Sequence, residues 1–520
     1  MESRIDKRDL LLAPEPQSVY DTAVLCGRYI KNRAVSVSKS IMSTSAAASN
    51  LASPRRSPSP SRAGHGHGAP HKPSRGHSAT AYLSGVRGVA AVIVFLFHST
   101  WALTAAVDDG YGLWNANHHV LQLPLLRLVH AGHAMVGIFF LIGGYVNAVK
   151  PLQLMRERRH AELVPAVAAS LLRRGIRLYM PALVAMLATA LLTYAGAFEP
   201  ARRNMDTLKD LFYWPDFHPG RKETLAATLR DWQQQVLQLM NPWQQPHYPH
   251  LDPHLWTVTL EFRASLVVSL SLSAVACCRV GSRLAILTLL TLFSLRCDRW
   301  EIALFLTGAV LAELDLMRKD AARATASLPA ARDMIDLDVE AKRDAAPPPR
   351  PPAEHRVIRS LGIMLIALAG MYLMSFPPSH AEETQGFMLI YKWLVPSWTN
   401  DPKRYVLGPG AVLFMIAVSS SATLQRPFLT ATAQYLGTVS YALYIVHGPV
   451  LHSVGYVVTP VVMAVTGLET DREWAMGMVL STVINFAVAL GVADVFYRFV
   501  DVGSVRMATA FQRMCFQSGY

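Results

Sequence analysis

The sequence predicts an all-α polytopic membrane protein of about ten transmembrane helices behind a disordered N-terminal tail, and three observations carry that reading. Hydrophobic residues make up 52% of the 520 residues and charged residues only 16%, whereas an ordinary soluble chain is about 25% charged. The mean hydropathy is +0.24. The apolar residues also come in long runs rather than periodic stripes: from Val86 to Val107 the only ionisable groups are Arg87 and His98. A run of roughly 18 or more such residues can cross ~30 Å of hydrocarbon, and a soluble fold could not hide this much apolar surface. A secreted disulfide scaffold, a nucleic-acid binder and a soluble two-domain enzyme are excluded.

The tail, residues 1–79, holds 12 Lys/Arg against 5 Asp/Glu, which is +7 of the net +13. Ser-Pro pairs lie among arginines, followed by His65, His67, His71 and His77. That composition cannot bury a core and reads as a disordered, solvated basic extension beside an acidic leaflet. Its start is too charged for a secretory signal. The histidines lack the cysteine or carboxylate partners of a metal site, and the five cysteines show no paired spacing, so neither a metal centre nor a disulfide framework is expected.

Ten spans then follow in the membrane domain, residues 80–510: 86–107, 131–149, 178–197, 255–277, 283–297, 300–316, 358–376, 405–421, 437–463 and 475–498, with a short tail at 511–520. The fifth and sixth are short and abut at Cys297-Asp298-Arg299. Basic loops orient the chain. The loop after the second span carries Lys150, Arg156, Arg158, Arg159, Arg173, Arg174 and Arg177, and the loop 317–357 carries eight more Lys/Arg with a proline run at 347–352. With ten spans both loops and both termini share one side, expected to be the cytosol of an endoplasmic-reticulum or other endomembrane.

The opposite side has one long loop, 198–254, with eight aromatic residues. Within it Leu225, Leu229, Trp232, Val236 and Leu239 recur at helical spacing, which predicts an amphipathic interfacial helix. It reads either as a lid over something in the membrane or as a plain surface loop. No Asn-X-Ser/Thr sequon occurs in the chain.

Ionisable groups in hydrocarbon are expensive, so each is a functional candidate. Arg87 and His98 are eleven residues apart, only 20° beyond three helical turns, so they share a face and lie ~16 Å apart along the axis. A guanidinium at a basic mouth suits phosphate. An imidazole in a low-dielectric cavity suits proton transfer. Glu261 on the fourth span and His447 on the ninth are expected near the depth of His98, and the three together predict a shared polar centre.

Several stretches resemble the integral-membrane acyltransferase 3 family. Val86-Arg-Gly to Phe97-His98 looks like its opening signature, an Arg and a His separated by ten residues. Val136-Gly-Ile-Phe-Phe-Leu-Ile-Gly-Gly-Tyr145 resembles its second-helix block, and Arg173-Arg-Gly-Ile-Arg-Leu-Tyr-Met-Pro181 its arginine-rich start of helix three. His254-Leu-Trp to Glu261-Phe, Phe305-Leu-Thr-Gly to Glu313-Leu, and Leu436-Gly-Thr-Val-Ser-Tyr to His447-Gly-Pro449 match in order. The resemblance covers roughly 80–510, and Glu-Phe-Arg after the fourth block is most like filamentous-fungal members. One block departs: no proline follows Asp501, and the resemblance gives Asp501 no role.

The resemblance implies transfer of an acyl group, commonly acetyl, from acyl-CoA as co-substrate to a hydroxyl of a small-molecule acceptor, in the fungal case a secondary metabolite. Arg87, Arg173, Arg174 and Arg177 would hold the nucleotide and pyrophosphate of the donor. His98 would be the general base. Glu261 would orient or charge-compensate a polar partner, His98 itself being one option, and His447 would be a second base or an oxyanion donor. A glycolipid or wall polysaccharide is the alternative acceptor, and a polytopic transporter the alternative class. The transporter should show two similar halves with broken helices, and no such repeat is seen.

Overall fold

The computed structural model describes residues 80–113, 117–216, 219–244, 246–332 and 353–516. The expected tail, its histidines and the proline run of the 317–357 loop lie outside the described residues. Within them every regular element is helical and no strand occurs. The principal helices are α1 (Ala81–Trp101), α2 (Gly132–Arg156), α3 (His160–Tyr194), α4 (Leu225–Leu239), α5 (Trp256–Ala274), α6 (Val280–Arg296), α7 (Trp300–Arg332), α8 (Ala353–Met374), α9 (Arg404–Ser420), α10 (Ala431–Val450), α11 (Tyr456–Thr466), α12 (Asp471–Phe496) and α13 (Val502–Cys515).

Each of the ten expected spans falls on a helix, but the ten are not equivalent. Among the described residues seven helical stretches are long and apolar enough to cross a membrane, and Arg404–Ser420 with Ala422–Leu429, bent by 107°, makes an eighth if taken as one span. The α6 helix is short at 17 residues. The α7 helix carries Glu301, Glu313 and Asp315 in its apolar stretch. These acids are partnered: Glu301 accepts from Arg263 of α5 at 2.6 Å, and Glu313, fully buried, accepts from Arg283 of α6 at 2.7 Å and Arg156 of α2 at 2.8 Å. Buried charge is tolerated when paired in this way.

The outer faces support the membrane reading. Leu270, Leu289, Phe293, Leu365, Val465, Val479 and Phe499 are each at least 64% exposed, an apolar surface that lipid, not water, would cover.

Of the helix boundaries that differ from the sequence expectation, two bear on the site. The first span ends at Trp101 rather than 107, because Thr104 adopts an extended backbone and its hydroxyl caps a new turn at Ala106. The third begins at His160, not 178, and runs 35 residues, so Arg173, Arg174 and Arg177 stand on a continuous helix instead of in a loop. Arginine is nearly as good a helix former as alanine, and charge alone does not mark a loop.

The α1 and α10 helices cross closely. A Cβ on Gly88 would lie 2.4 Å from the Gly437 backbone nitrogen, and one on Gly437 2.2 Å from the Ser84 carbonyl oxygen. Only glycine permits this approach. Ten residues beyond that contact on each helix stand His98 and His447.

Candidate functional site

His98 lies 17 residues beyond the start of α1 and His447 16 residues beyond the start of α10, so both sit ~25 Å along their helices. The shared level expected from the sequence is therefore present for these two, near the end of α1 and midway along the longer helical stretch Ala431–Thr466. Their rings are 5.2 Å apart. A third histidine joins them. His254 occupies the turn Pro253–Leu255 that opens into α5, a start set by Asp252 as cap and Pro253 in the first position. The His254 ring lies 4.1 Å from that of His98 and 4.6 Å from that of His447.

The hydrogen bonds give these rings distinct roles. His254 Nδ1 donates to Asp252 Oδ1 at 2.8 Å, and its Nε2 faces His98 Nδ1 at 3.1 Å. This is a carboxylate–imidazole–imidazole chain ending on His98. Gly448 makes room for it: a Cβ there would meet His254 Nδ1 at 2.4 Å and Asp252 Oδ1 at 2.5 Å. His447 Nδ1 donates to the Tyr444 carbonyl at 2.6 Å, which leaves Nε2 of the neutral ring as an acceptor. That Nε2 is buried and has no hydrogen-bond partner among the described residues. Of the two roles expected for His447, the neutral ring can fill that of base or acceptor, not that of oxyanion donor.

A carboxylate from the 198–254 loop reaches the same place. Asp216 Oδ2 lies 3.4 Å from His254 Nε2 and 3.2 Å from His452 Nε2, and its backbone N–H donates to the Tyr456 hydroxyl at 3.1 Å. Burial works to raise the Asp216 pKa, but its two histidine neighbours hold its carboxyl well below the usual carboxylate range. His452 is directed there by a π-helical turn, Leu451–Gly455, that follows Pro449; such single turns break helix register where a side chain must be re-aimed. The amphipathic helix of this loop forms as α4, where Val236 and Leu239 are buried while Leu225 and Leu229 remain exposed.

Glu261 does not join the histidines. It lies five residues into α5, ~8 Å along, and accepts from Arg174 at 2.7 Å. Together they line a chamber of about 290 Å³ with Arg87, Arg173, Arg177 and Tyr441. The expected arginine cluster is thus gathered in one place but unequally committed: Arg174 is paired with Glu261, and Arg173 donates to Gln512 of α13. Between chamber and histidines stand Thr257 and Tyr444, whose hydroxyls are 2.5 Å apart, with the Tyr444 hydroxyl donating to the His254 carbonyl. Both line the chamber.

Asp216, Asp252, His254 and His452 were not singled out from sequence as site residues. Asp252-Pro-His254 carried a usable signal, an acid two residues before a histidine at a proline-marked helix start. Asp216 carried none, since only tertiary folding brings the loop inward.

One ring nitrogen each of His98, His254 and His447 lies within 4.8 Å of the others, as do ligand atoms of Asp216, His254 and His452. Such sets can hold a divalent ion. In this arrangement, however, the contacts around His254 are those of a hydrogen-bond chain, with both of its nitrogens engaged.

Several helices long and apolar enough to span a bilayer, with a histidine cluster and an adjoining arginine chamber between them, define a multi-pass membrane protein with a polar site among its helices. The family model described as an acyltransferase domain, acyltransferase 3, matches residues 80–498, and the chain belongs to that family. Among relatives, it is 25% identical over 459 residues to "O-acetyltransferase PaAT-1" of Phomopsis amygdali, covering 84% of this chain and 85% of the relative. It is 25% identical to "Acyltransferase R4" of a Phoma species and to "Acyltransferase clz18" of Cochliobolus lunatus, each match covering 83% of this chain and 95% of the relative. No solved structure matches.

Proposed function

We propose that the protein transfers an acyl group, acetyl in the first instance, from acyl-CoA to a hydroxyl of a small-molecule acceptor, with His98 as the general base. The observation that carries this reading is the chain Asp252–His254–His98, with links of 2.8 and 3.1 Å. As the acceptor oxygen attacks the thioester carbonyl, His98 Nε2 takes its proton. The imidazolium that forms donates from Nδ1 to His254, whose ring is oriented by Asp252. Asp216, ionised and 3.4 Å from His254 Nε2, adds a second negative charge beside the developing positive one. The proton then passes to the departing thiolate of CoA. His447 Nε2, an acceptor without a partner among the described residues, takes a hydrogen bond from the acceptor molecule or a water. Glu261 orients and charge-compensates a polar partner, as expected from sequence, but that partner is Arg174 in the chamber wall and not His98.

The donor stands on the arginine side. Arg87, Arg173 and Arg177 face the chamber, and guanidinium forks match phosphate oxygens. The acceptor in this reading is a secondary metabolite, with a glycolipid or wall polysaccharide as the alternative. The basic loops favour a cytosolic arginine mouth, in an endoplasmic-reticulum or related membrane with both termini cytosolic.

The test is to incubate membranes carrying the protein with labelled acetyl-CoA and a panel of hydroxylated acceptors. Acceptor-stimulated CoA release with label in the product is expected, and its loss in correctly inserted His98→Ala. Full activity in that variant would overturn the assignment of the base. No acceptor-dependent release with acetyl or longer acyl donors would overturn the reaction.

A further inference from the structure

A second cavity, of about 440 Å³, adjoins the arginine chamber and shares Arg87, Arg177 and Tyr441 with it. Its other walls come from α10 (Gly437, Thr438) and from the end of the chain: Tyr497, Asp501, Val502, Val505 and Arg506. The last four lie at i, i+1, i+4 and i+5, one face of a helix, and Tyr497–Asp501 is a π-helical turn. The charges are unbalanced. Three guanidiniums, Arg87, Arg177 and Arg506, face one carboxylate, Asp501, and none of the three makes a hydrogen bond or salt bridge with a described residue, unlike Arg173 and Arg174. Arg87 is only part-exposed, on the α1–α10 crossing, where an unanswered charge is costly. A cavity of this size is in the range of small-molecule sites, and surplus guanidinium calls for an anion with several oxygens.

We propose that this second cavity binds the phosphorylated nucleoside end of the donor, with the ribose 3′-phosphate of acyl-CoA on Arg506 and the pyrophosphate on Arg87 and Arg177 where the cavities meet. Thr438, Tyr441, Tyr497 and Asp501 supply hydroxyls and an acceptor for the nucleoside's polar groups, and the acyl-bearing arm enters the first chamber toward Tyr444. The proposal rests on the acyl-CoA reading above. Sequence reasoning offered no reason to choose Arg506 among the arginines of the C-terminal helix. The geometry does.

The experiment removes the same contact from either side. Purified full-length protein and the Arg506→Ala and Arg506→Lys variants are compared with acetyl-CoA and with acetyl-3′-dephospho-CoA. The natural protein is expected to show a KM lower for acetyl-CoA by on the order of tenfold, the worth of one charge-assisted contact. In Arg506→Ala the two KM values should converge, and Arg506→Lys should recover part of the difference. A natural protein indifferent to the 3′-phosphate, or an Arg506→Ala variant that keeps the full discrimination, overturns the proposal. If neither thioester supports transfer, the functional reading fails, and binding of adenosine 3′,5′-bisphosphate decides the cavity separately: binding that Arg506→Ala abolishes upholds it, and binding that is absent or unaffected by the substitution removes it.

Discussion

The histidine cluster and the arginine chambers lie next to each other but dispose of their polar groups in opposite ways. In the cluster nearly every nitrogen is answered from within the protein: Asp252 fixes His254, His254 meets His98, and Asp216 spans His254 and His452. In the chambers Arg87, Arg177 and Arg506 face cavity space with a single opposing carboxylate, Asp501, in the second of them. A group whose partners are built in can be held in one orientation and one tautomer, which proton transfer needs. A group left without partners is stabilised by what arrives, which ligand binding needs. The difference predicts which mutations change turnover and which change affinity.

The largest effect is expected in the cluster. His98→Ala should lower kcat by roughly 10²–10⁴-fold, the usual worth of a positioned general base, with little change in KM for the donor. Asp252→Asn keeps the size of the side chain but no longer demands a proton on His254 Nδ1, so it should also reduce kcat selectively. Steady-state kinetics on purified protein separate the two parameters. A KM effect without a kcat effect at His98 would erase the distinction drawn between the regions.

The next effect concerns charge that serves the fold alone. Glu313 is fully buried between Arg156 and Arg283. Its replacement by glutamine leaves Arg283 short of its counter-charge, while Arg156 keeps Asp320, and should cost about 3–5 kcal/mol, read as a lower unfolding midpoint in detergent. Glu261→Gln, at a pair with side chains 18% and 28% exposed, should cost far less stability and show itself in donor KM. Equal destabilisation by both would make Glu261 another strut of the fold.

How much of this was legible in the sequence depends on what each feature rests on. The helices were legible because length and apolarity are local properties, and Arg87 and His98 share a face by arithmetic on one helix. The parallel register of α1 and α10, which brings His98 to His447, depends on a glycine contact between segments 349 residues apart in Gly88 and Gly437, and only the coincidence of depth hinted at it. Helix ends were misplaced where a hydroxyl cap interrupts an apolar run at Thr104, or where arginines continue a helix from 173 to 177. Glu261 was assigned to the wrong neighbourhood because depth alone cannot tell which face of α5 meets which helix. Asp216 was invisible because a loop acid has no periodicity to place it.

A smaller effect is expected on the chamber side. Arg177→Ala should raise the donor KM by about tenfold, one charged contact, and leave kcat close to the natural value. Arg174→Ala should disturb more than affinity, because it strips Glu261 of its partner. Isothermal titration with CoA compares the two in the absence of turnover. A collapse of kcat in Arg177→Ala would mean that the arginine acts on the reacting atoms and that chamber and cluster are one functional unit.

The smallest expected effect is none, and it bears on the cluster most directly. The nitrogens of His98, His254 and His447 approach one another as metal ligands do, so the hydrogen-bond chain has a competitor built from the same side chains. The two differ in what His98 Nδ1 is for. In the chain it donates to His254 as His98 becomes charged, so activity needs both rings and no ion. In a metal centre the same nitrogen would be a ligand, and Asp252 on His254 Nδ1 would serve as the outer partner of a bound imidazole. Dialysis against a strong chelator, with metal content measured before and after, separates them. Unchanged turnover in metal-free protein is expected. Loss of activity that zinc restores would transfer the role of Asp252–His254 from proton transfer to metal binding, and would leave His447, with its unpartnered Nε2, as the remaining candidate base.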